Sequence, residues 1–337
     1  MENEGSSGMN RIIISRTDAI GDVILTLPVA FALKGKYPGC EIIFLGRKYT
    51  RPVVAACPWV NTFLEVEELL EKSRKEGVRI LKDLKADAIV HVFPNKKVAA
   101  LAKQAGIPVR IGTSHRIFHW LTCNKPVNFT RKNSDLHEAQ LNFKLLKPLG
   151  VFQIPSLDFL KSLTPLVPQA PLPDFLKNEI PEGKRIIILH PKSRGSAREW
   201  GLENFSSLIS MLPPDNFHIF ITGTAGEGEL MKGRFDAFAH VTNLSGRLNL
   251  SELMTFISKT HALIAASTGP LHIAAALGIK AIGIFAPMRP IHPGRWAPLG
   301  PDAHALVLEK KCSDCRKSGV CLCIQSVSPA EVHSLLS

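Results

Sequence analysis

Short apolar runs alternate with stretches of amphipathic helical period along nearly the whole chain. Strands buried on both faces and joined by helices read in this way, so the alternation predicts parallel sheets covered by helices. The predicted fold class is therefore α/β. The predicted strands span residues 11–15, 41–45, 88–93, 109–111, 185–190, 218–222, 262–265 and 281–285. The predicted helices span residues 21–37, 67–84, 96–105, 135–149, 202–211, 227–239, 250–259 and 271–277.

The alternation is interrupted once, by a proline-rich segment near the middle of the chain. Residues 155–181 contain six prolines and have no sustained apolar period, which predicts a linker. Because the alternation resumes after this segment, we expect two similar domains, residues 10–165 and 172–337. Open parallel sheets bind ligands at the carboxyl ends of their strands, which predicts a site in a cleft between the two domains.

Positive charge is concentrated in the first half of the chain. Residues 1–170 carry 24 Lys and Arg against 15 Asp and Glu, whereas residues 171–337 carry 17 against 14. Such a surface is either solvated without a partner or attracts an anionic one. Cations and aromatics are not interleaved as on a nucleic-acid platform, and the chain has two Tyr, so no nucleic-acid partner is expected.

Membrane-spanning and exported classes are not expected from the sequence. No run reaches the roughly 18 uncharged apolar residues of a spanning helix. The first ten residues are rich in Gly, Ser and Glu and lack the basic-then-apolar order of a secretory signal, which predicts a cytoplasmic location. No Gly-x-Gly-x-x-Gly pattern follows the first strand, which disfavours a dinucleotide-dependent oxidoreductase.

The loop after the first predicted strand contains a candidate catalytic carboxylate. Gly21 permits a tight turn, and Asp22 follows it at the start of a helix. Two interpretations of Asp22 are open. As an N-cap it would accept hydrogen bonds from free N–H groups of the first turn. As a general base it would accept a proton from a substrate hydroxyl.

Two loops of the second half carry groups suited to an anion. Residues 190–200 contain three cations and two serines directly after a strand, which favours phosphate binding over a solvated basic turn. Residues 266–275 place Ser267 and Thr268 before Gly269 and an alanine-rich helix. Free N–H groups and hydroxyls at a helix start predict an anion site, although a plain capped helix would use the same Ser and Thr.

Three stretches in this order resemble glycosyltransferase family 9, the bacterial heptosyltransferases that build the inner core of lipopolysaccharide. Residues 11–28 are similar to the family's opening strand and Gly-Asp-Val turn, and residues 190–200 to its phosphate loop ending in a basic residue and Trp. Residues 267–277 are similar to its Thr/Ser-Gly-x-x-His-x-x-Ala-Ala-Leu signature. The resemblance covers nearly the whole chain and implies a GT-B fold, with two Rossmann-like domains facing each other across a cleft.

The resemblance also implies roles for the domains and for single residues. Residues 10–165 would bind the acceptor and residues 172–337 the nucleotide sugar. Asp22 matches the family's general base, and His272 is either a donor contact or a core histidine. In the resemblance, Arg198 and Lys192 lie at the donor phosphates, Glu227 at the ribose and Leu248 at the base. The implied donor-binding residues are Lys192, Ser193, Arg198, Glu227, Leu248, Ser267, Thr268, Gly269 and His272.

The implied function is inverting, metal-independent transfer of heptose from ADP-heptose to a lipopolysaccharide-core or related anionic glycolipid, with no cofactor. Such an acceptor implies peripheral contact with the inner face of the inner membrane. A sugar-nucleotide epimerase-like GT-B enzyme and a non-catalytic nucleotide- or glycolipid-binding relative are the alternatives. Four positions near the donor depart from the family pattern and leave the donor sugar open: Glu199, Gly201, Ser267 and Ala286.

Four of the seven cysteines are crowded near the C-terminus, at Cys312, Cys315, Cys321 and Cys323. Four thiolates suit a structural zinc, but the final Cys-x-Cys is tighter than the usual paired knuckles. Reduced thiols are the preferred interpretation, and zinc and disulfides remain alternatives. No catalytic metal is expected.

Overall fold

The computed structural model describes residues 8–131, 134–308 and 321–336. The chain divides into two compact units, Met1–Leu157 and Asp158–Ser337. Each unit contains one six-stranded parallel sheet. The strands of the first unit are β1 Arg11–Ser15, β2 Glu41–Gly46, β3 Thr62–Glu65, β4 Ala88–His91, β5 Val109–Thr113 and β6 Lys125–Val127. Those of the second are β7 Arg185–His190, β8 Phe217–Ile221, β9 Val241–Asn243, β10 Ala262–Ala266, β11 Lys280–Phe285 and β12 Ala303–Val307.

Helices connect the strands of both sheets. The first eight are α1 Ile20–Ile24, α2 Leu27–Lys36, α3 Arg51–Ala55, α4 Val66–Leu70, α5 Arg74–Asp83, α6 Lys96–Gln104, α7 Ile117–Thr122 and α8 Glu138–Phe143. The next nine are α9 Leu157–Ser162, α10 Asp174–Glu179, α11 Leu202–Ser210, α12 Ala225–Leu230, α13 Leu250–Ile257, α14 Gly269–Ala276, α15 Pro293–Trp296, α16 Leu322–Gln325 and α17 Pro329–Ser334. Two 3-10 helices, Lys48–Thr50 and Lys144–Leu149, lie in the first unit.

Both sheets have the same strand order. The first is β3-β2-β1-β4-β5-β6 and the second, read from its other edge, is β9-β8-β7-β10-β11-β12. Numbered within its own unit, each sheet is therefore 3-2-1-4-5-6, the order of a doubly wound Rossmann-like sheet. The order reverses between the first and fourth strands of each unit, and this switch point is where such sheets bind ligands.

Apolar side chains on both faces of the central strands explain why these segments form the middle of each sheet. Ile12, Ile13 and Ile14 of β1 are fully buried, and the core on one side of the first sheet includes Ile13, Ile89 and Leu101. The second unit has its own core, in which Trp200 is the largest fully buried side chain. Each sheet is thus covered by helices of its own unit, as α/β architecture requires.

The structure corrects several predicted elements. The segment 155–181, predicted as a linker, contains α9 and α10. The single helix predicted over 21–37 is two helices, because Pro28 starts a new one at its second position. The helix predicted over 67–84 is also two, since Ser73 and Glu76 form a capping box that begins α5. The helix predicted over 227–239 ends at Leu230, and Gly233 at φ +74 lies in the turn that follows.

Candidate functional site

The switch point of the first unit lies between β1 and β4, which pair in parallel with Ser15 aligned to His91. The Phe93 N–H donates to the Ser15 carbonyl at 3.1 Å and extends this pairing past the strand ends. Arg16 follows β1 directly, and Asp22 lies in the first turn of α1. The loop with the predicted base therefore starts where an open sheet of this order binds ligands.

Arg16 is the centre of a buried ion network at this edge. Its side chain is 3% exposed. Its Nε donates to Asp18 Oδ1 at 2.7 Å, its Nη1 donates to Glu138 Oε1 at 3.0 Å, and its Nη2 donates to the Asp22 carboxylate. Burial alone would lower the pKa of Arg16, but the carboxylates of Asp18, Asp22 and Glu138 raise it above its ordinary value. One charged guanidinium thus holds three carboxylates.

Helix α8 supplies the other side of the network. Glu138 is fully buried and also accepts from Arg131 Nε at 2.9 Å. Asn142, one turn further on, accepts at Oδ1 from Arg131 Nη2 at 3.1 Å. The Asn142 Nδ2 donates to the carbonyl of Leu25 at 3.2 Å. These bonds fix α8 to the connection between α1 and α2, and therefore hold the helix that contains Asp22.

The structure tests one of the two interpretations of Asp22, its role as an N-cap. The N-cap of α1 is Ala19, which makes no side-chain cap, and Asp22 lies three residues further along. Its carboxylate accepts from Arg16 instead of from free N–H groups of the helix. The N-cap interpretation is therefore wrong. The role of general base stays a proposal, with Arg16 as the group that orients the carboxylate.

Asp18 is a second carboxylate at this edge, and the sequence did not indicate it. Burial and the nearby Asp22 raise the pKa of Asp18 to about 6, against the lowering effect of Arg16. The sequence offered one signal for the network, a charged residue directly after the apolar β1. It offered none for the partner Glu138, which lies 122 positions from Arg16.

The second unit has its switch point between β7 and β10. His190, the last residue of β7, is aligned with Ala265 of β10. The loop from Pro191 to Trp200 therefore begins beside the loop of Ser267 and Thr268. The structure brings together the two loops in which the sequence predicts anion binding.

Glu199 organises the loop after β7. Lys192 Nζ donates to Glu199 Oε2 at 2.7 Å, and the Ser193 N–H donates to Glu199 Oε1 at 3.1 Å. The Ser193 hydroxyl lies 2.9 Å from the Ala197 carbonyl, to which it donates, and 3.2 Å from Glu199 Oε1. Glu199 stands where the family pattern has a basic residue. Its carboxylate fixes Lys192 and Ser193 in one compact turn, with the half-buried Arg198 in the same loop.

The end of this loop explains a second departure from the family pattern. Trp200 is fully buried, and its Nε1 donates to the Val327 carbonyl at 2.8 Å, which anchors the loop in the core. Gly201 follows as the N-cap of α11 with φ +100. The family pattern has proline at this position, but proline is confined to φ near −65° and cannot adopt this backbone conformation. Glycine fits it without strain.

Helix α14 begins after β10 with an open N-terminus. Thr268 is its N-cap but makes no side-chain cap, and the buried Thr268 hydroxyl has no hydrogen-bond partner among the described residues. Ser267 and Gly269 are half-buried on either side of it. Helix N-termini attract anions. A buried hydroxyl without a hydrogen-bond partner is costly in free energy unless a ligand or a water molecule bonds to it. His272, one turn further, is 3% exposed, in agreement with the core interpretation.

Glu227 and Leu248 lie after the next two strands of the same sheet, β8 and β9. Glu227 forms a capping box in α12, where its Oε2 accepts from the Thr224 N–H at 2.7 Å and the Thr224 hydroxyl at 2.9 Å. Its Oε1 is buried and has no partner among the described residues. The Gly246 N–H donates to the Gly223 carbonyl at 2.9 Å, which joins the loop of Leu248 to that of Glu227. All the predicted donor residues therefore lie on loops at one end of the second sheet or on α12 and α14, which follow those loops.

Two buried histidines are the last residues of central strands. His190 ends β7 in the second sheet, and His91 ends β4 in the first. Burial lowers the pKa of His190 to about 4, while its Nδ1 lies 3.0 Å from the Thr222 hydroxyl. Burial, with His119 and Arg110 nearby, lowers the pKa of His91 to about 3. Neither ring nitrogen of His91 has a partner among the described residues. Both histidines are therefore neutral in the folded chain at neutral pH.

These pKa values predict loss of stability in acid. Below about pH 6.5 the unfolded chain gains protons that the folded histidines do not take up, so stability present above that pH is lost as the pH falls. Between about pH 7.5 and about pH 5, His91 is expected to contribute a loss of about 2 kcal/mol. Urea unfolding of His91→Phe should show a pH dependence smaller by this amount. The exposed His115, changed to Gln, is the control, and an unchanged slope in His91→Phe would contradict the assignment.

The described residues contain neither a candidate metal-binding cluster nor a helix that could span a membrane. No group of three or more His, Cys, Asp and Glu side chains suited to a metal ion occurs in them. Cys312 and Cys315 lie outside these residues, whereas Cys321 and Cys323 are buried. The preferred reduced-thiol interpretation of the cluster and its zinc alternative therefore both stay untested predictions. No helix in the same part of the chain is long and apolar enough to cross a bilayer.

Two Rossmann-like units, each with a switch point at the carboxyl ends of its central strands, make up the GT-B architecture. Residues 77–322 match glycosyltransferase family 9 (heptosyltransferase), and the chain belongs to this family. This membership makes it a glycosyltransferase and selects that function over the epimerase-like and non-catalytic alternatives.

Individual relatives agree with this assignment. The chain is 24% identical to lipopolysaccharide heptosyltransferase 3 of Escherichia coli, over 79% of this chain and 80% of the relative. Its fold is similar to that of a family 9 glycosyltransferase of Veillonella parvula, with a TM-score of 0.76 and 19% identity, covering 99% of both chains. It is also similar to ADP-heptose lipopolysaccharide heptosyltransferase II of Escherichia coli, with a TM-score of 0.75 and 19% identity, covering 97% of both.

Proposed function

We propose that the chain transfers heptose from ADP-heptose to a lipopolysaccharide-core or related glycolipid acceptor. The observation that carries the proposal is the meeting of the Lys192 loop with the open start of α14 at the switch point of the second sheet. The relatives named as lipopolysaccharide heptosyltransferases support the sugar and the acceptor, and the solved ADP-heptose enzyme supports the donor.

The second unit is the proposed donor-binding domain. The diphosphate lies at the N-terminus of α14, where it accepts from the Thr268 hydroxyl and from backbone N–H groups at Gly269. Arg198 and Lys192 neutralise its charge. The Lys192 ammonium, which donates to Glu199 in the structure, donates to a phosphate oxygen when the donor binds. The free Oε1 of Glu227 accepts from a ribose hydroxyl, and Leu248 packs on the base. Ser193, Ser267 and His272 border this site.

The proposed reaction is a single displacement with inversion. Asp22 removes the proton of an acceptor hydroxyl as its oxygen forms a bond to the anomeric carbon. The bond from that carbon to the phosphate oxygen breaks, and its electron pair leaves with the nucleoside diphosphate. The cations and the α14 start stabilise this departing charge from fixed positions. The proton ends on the Asp22 carboxylate, which Arg16 holds in place.

The first unit is the proposed acceptor-binding domain. Most of the excess positive charge lies in it, since residues 1–157 carry 23 Lys and Arg against 14 Asp and Glu, a net of +9, whereas residues 158–337 carry 18 against 15, a net of +3. A phosphorylated glycolipid is attracted to such a surface. We place the reaction at the cytoplasmic face of the inner membrane, where the chain would act as a peripheral protein.

The test has a binding arm and a transfer arm. In the binding arm, ADP-, GDP-, UDP- and dTDP-sugars are screened by thermal shift, and at 100 times its Kd the true donor adds about 2.7 kcal/mol of stability. In the transfer arm, release of nucleoside diphosphate should require both the donor and a heptose-deficient glycolipid. Turnover of donor without acceptor, or binding without any transfer, would overturn the proposal.

Arg198→Ala is expected to weaken nucleoside diphosphate binding about 10- to 150-fold. The variant loses charge-assisted hydrogen bonds worth about 1.5–3 kcal/mol. Titration calorimetry with ADP measures the change. Arg234, which forms an exposed ion pair with Glu203 at 2.8 Å, is the matched control, and its Ala variant should bind normally. An unchanged affinity in Arg198→Ala would show that the phosphates bind elsewhere.

A further inference from the structure

Helix α7 presents three large apolar side chains to solvent. Ile117, Trp120 and Leu121 are 86%, 65% and 71% exposed. They occupy positions i, i+3 and i+4, so they lie on one face of the helix. Single exposed apolar residues are ordinary on a protein surface. Three neighbours on one helix face form a patch typical of an interaction surface.

The opposite side of α7 fixes the orientation of this face. His119 is fully buried, and its Nδ1 lies 2.8 Å from the Thr113 carbonyl. A Cβ at Gly112 would lie 2.6 Å from the His119 ring, so the glycine allows the helix to approach β5 closely. The Trp120 Nε1 donates to the Ser114 carbonyl at 2.9 Å. The apolar face is therefore held rigidly on the first unit.

Basic side chains surround the apolar face. Arg116 is the N-cap residue of α7 and is exposed. Lys103 Nζ and Arg110 Nε each donate to a carbonyl in the last turn of α7, both at 2.8 Å. Lys125, also exposed, begins β6 just beyond the helix. Cations thus lie at both ends of the three apolar side chains.

No acidic residue offsets this charge in the surrounding sequence. Residues 88–134 contain eight Lys and Arg and no Asp or Glu. This segment therefore supplies nearly all of the net charge of +9 found in residues 1–170. An apolar helix face bordered by Lys and Arg is the arrangement with which interfacial helices lie in anionic bilayers, where Trp occupies the headgroup boundary.

We propose that α7 docks the first unit on an anionic lipid bilayer. Ile117, Trp120 and Leu121 enter the boundary between headgroups and acyl chains, while Lys103, Arg110 and Arg116 bind lipid phosphates. The inference rests on the proposed function, because a glycolipid acceptor resides in such a bilayer. The acid-free sequence favours a lipid surface over a second copy of this basic chain, which would be repelled.

The experiment measures partition of the full chain into vesicles, without substrate. Wild type should bind phosphatidylcholine vesicles that contain phosphatidylglycerol, and brominated lipids should quench a tryptophan signal that disappears in Trp120→Phe. Ile117→Ser/Leu121→Ser should lower the partition coefficient at least about tenfold, because two apolar side chains lose their burial. Arg116→Gln should lower it about fivefold on anionic vesicles and leave weak binding to pure phosphatidylcholine unchanged.

Leu322→Ser is the matched control, since Leu322 is 72% exposed in the second unit. It should partition like wild type. Melting temperature and ADP affinity of every variant show that folding and the donor site are intact, so failure of docking is distinguishable from failure of the proposed transfer. Equal partition of wild type and Ile117→Ser/Leu121→Ser would overturn the proposal. The proposal would also be overturned if wild type bound no vesicles and instead sedimented as a dimer that Ile117→Ser/Leu121→Ser dissociates.

Discussion

Asp22→Asn is expected to lower kcat by about 10²- to 10⁴-fold, the contribution of a positioned general base. Asparagine keeps one oxygen for the Arg16 guanidinium, so the loop and the ion network should persist. It cannot take the acceptor proton. Nucleotide affinity should remain normal, because the proposed donor site lies in the other unit. Transfer rates at saturating donor and acceptor, together with ADP titration and the melting temperature, measure these three quantities.

Asp18→Asn is the matched control for this prediction. Asp18 lies at the same edge and pairs with the same guanidinium, Nε to Oδ1 at 2.7 Å. If the charge balance around Arg16 is what matters, the two variants should lose activity alike. If Asp22 is the base, Asp18→Asn should keep most of its kcat. An Asp22→Asn enzyme with a near-normal transfer rate would contradict the assigned role.

Arg16→Met is expected to destabilise the first unit by about 3–5 kcal/mol. The substitution removes one of the two arginines that pair with the fully buried carboxylate of Glu138, and Asp18 and Asp22 lose their common partner. A buried charge without sufficient compensation is far more costly than a lost surface pair. The free energy of unfolding in urea, followed at neutral pH, gives the size of the effect.

Arg11 provides the comparison, because it stands at the opposite end of the same strand. It pairs with Glu41 at 2.7 Å, but the two side chains are 42% and 35% exposed. An ion pair in this position is worth no more than about 1 kcal/mol. Arg11→Met should therefore unfold at nearly the wild-type urea concentration. Equal losses in the two variants would show that the Arg16 network is no more shielded from solvent than the exposed Arg11 pair.

Burial decides which strands could be predicted from the sequence. The central strands β1 and β7 were predicted with their observed bounds, because every residue after the first is buried and the sequence reads as an apolar run. The four missed strands, β3, β6, β9 and β12, are the four edges of the two sheets. Edge strands are partly solvated, as in β6 and β12, where no residue is buried. A half-solvated strand has no apolar run to detect.

The candidate site divides in the same way. Lys192 and Thr268 lie on loops after buried strands, and Asp22 lies in the short helix that follows another. Because the strands are parallel, such segments all lie at the carboxyl end of their sheet. The partners of these residues were not predictable. Glu199 turns toward Lys192 and Ser193 through a loop conformation that includes Arg194 at φ +50 and Gly195 at φ +79, which no periodicity encodes. Glu138 reaches Arg16 through tertiary packing of α8.

The first unit precedes the second along the chain, and it is therefore synthesised first. All six strands of the first sheet have been translated by Val127, and the first strand of the second sheet begins only at Arg185. The 180 residues after Leu157 occupy the ribosome for roughly 9–36 s at about 5–20 residues per second. In that interval β1 can pair with β2 and β4 on its two sides. The first unit can therefore complete its sheet while the chain is still attached to the ribosome. The nascent chain would then expose a finished α7 to a bilayer before the second unit, the proposed donor-binding domain, has been synthesised.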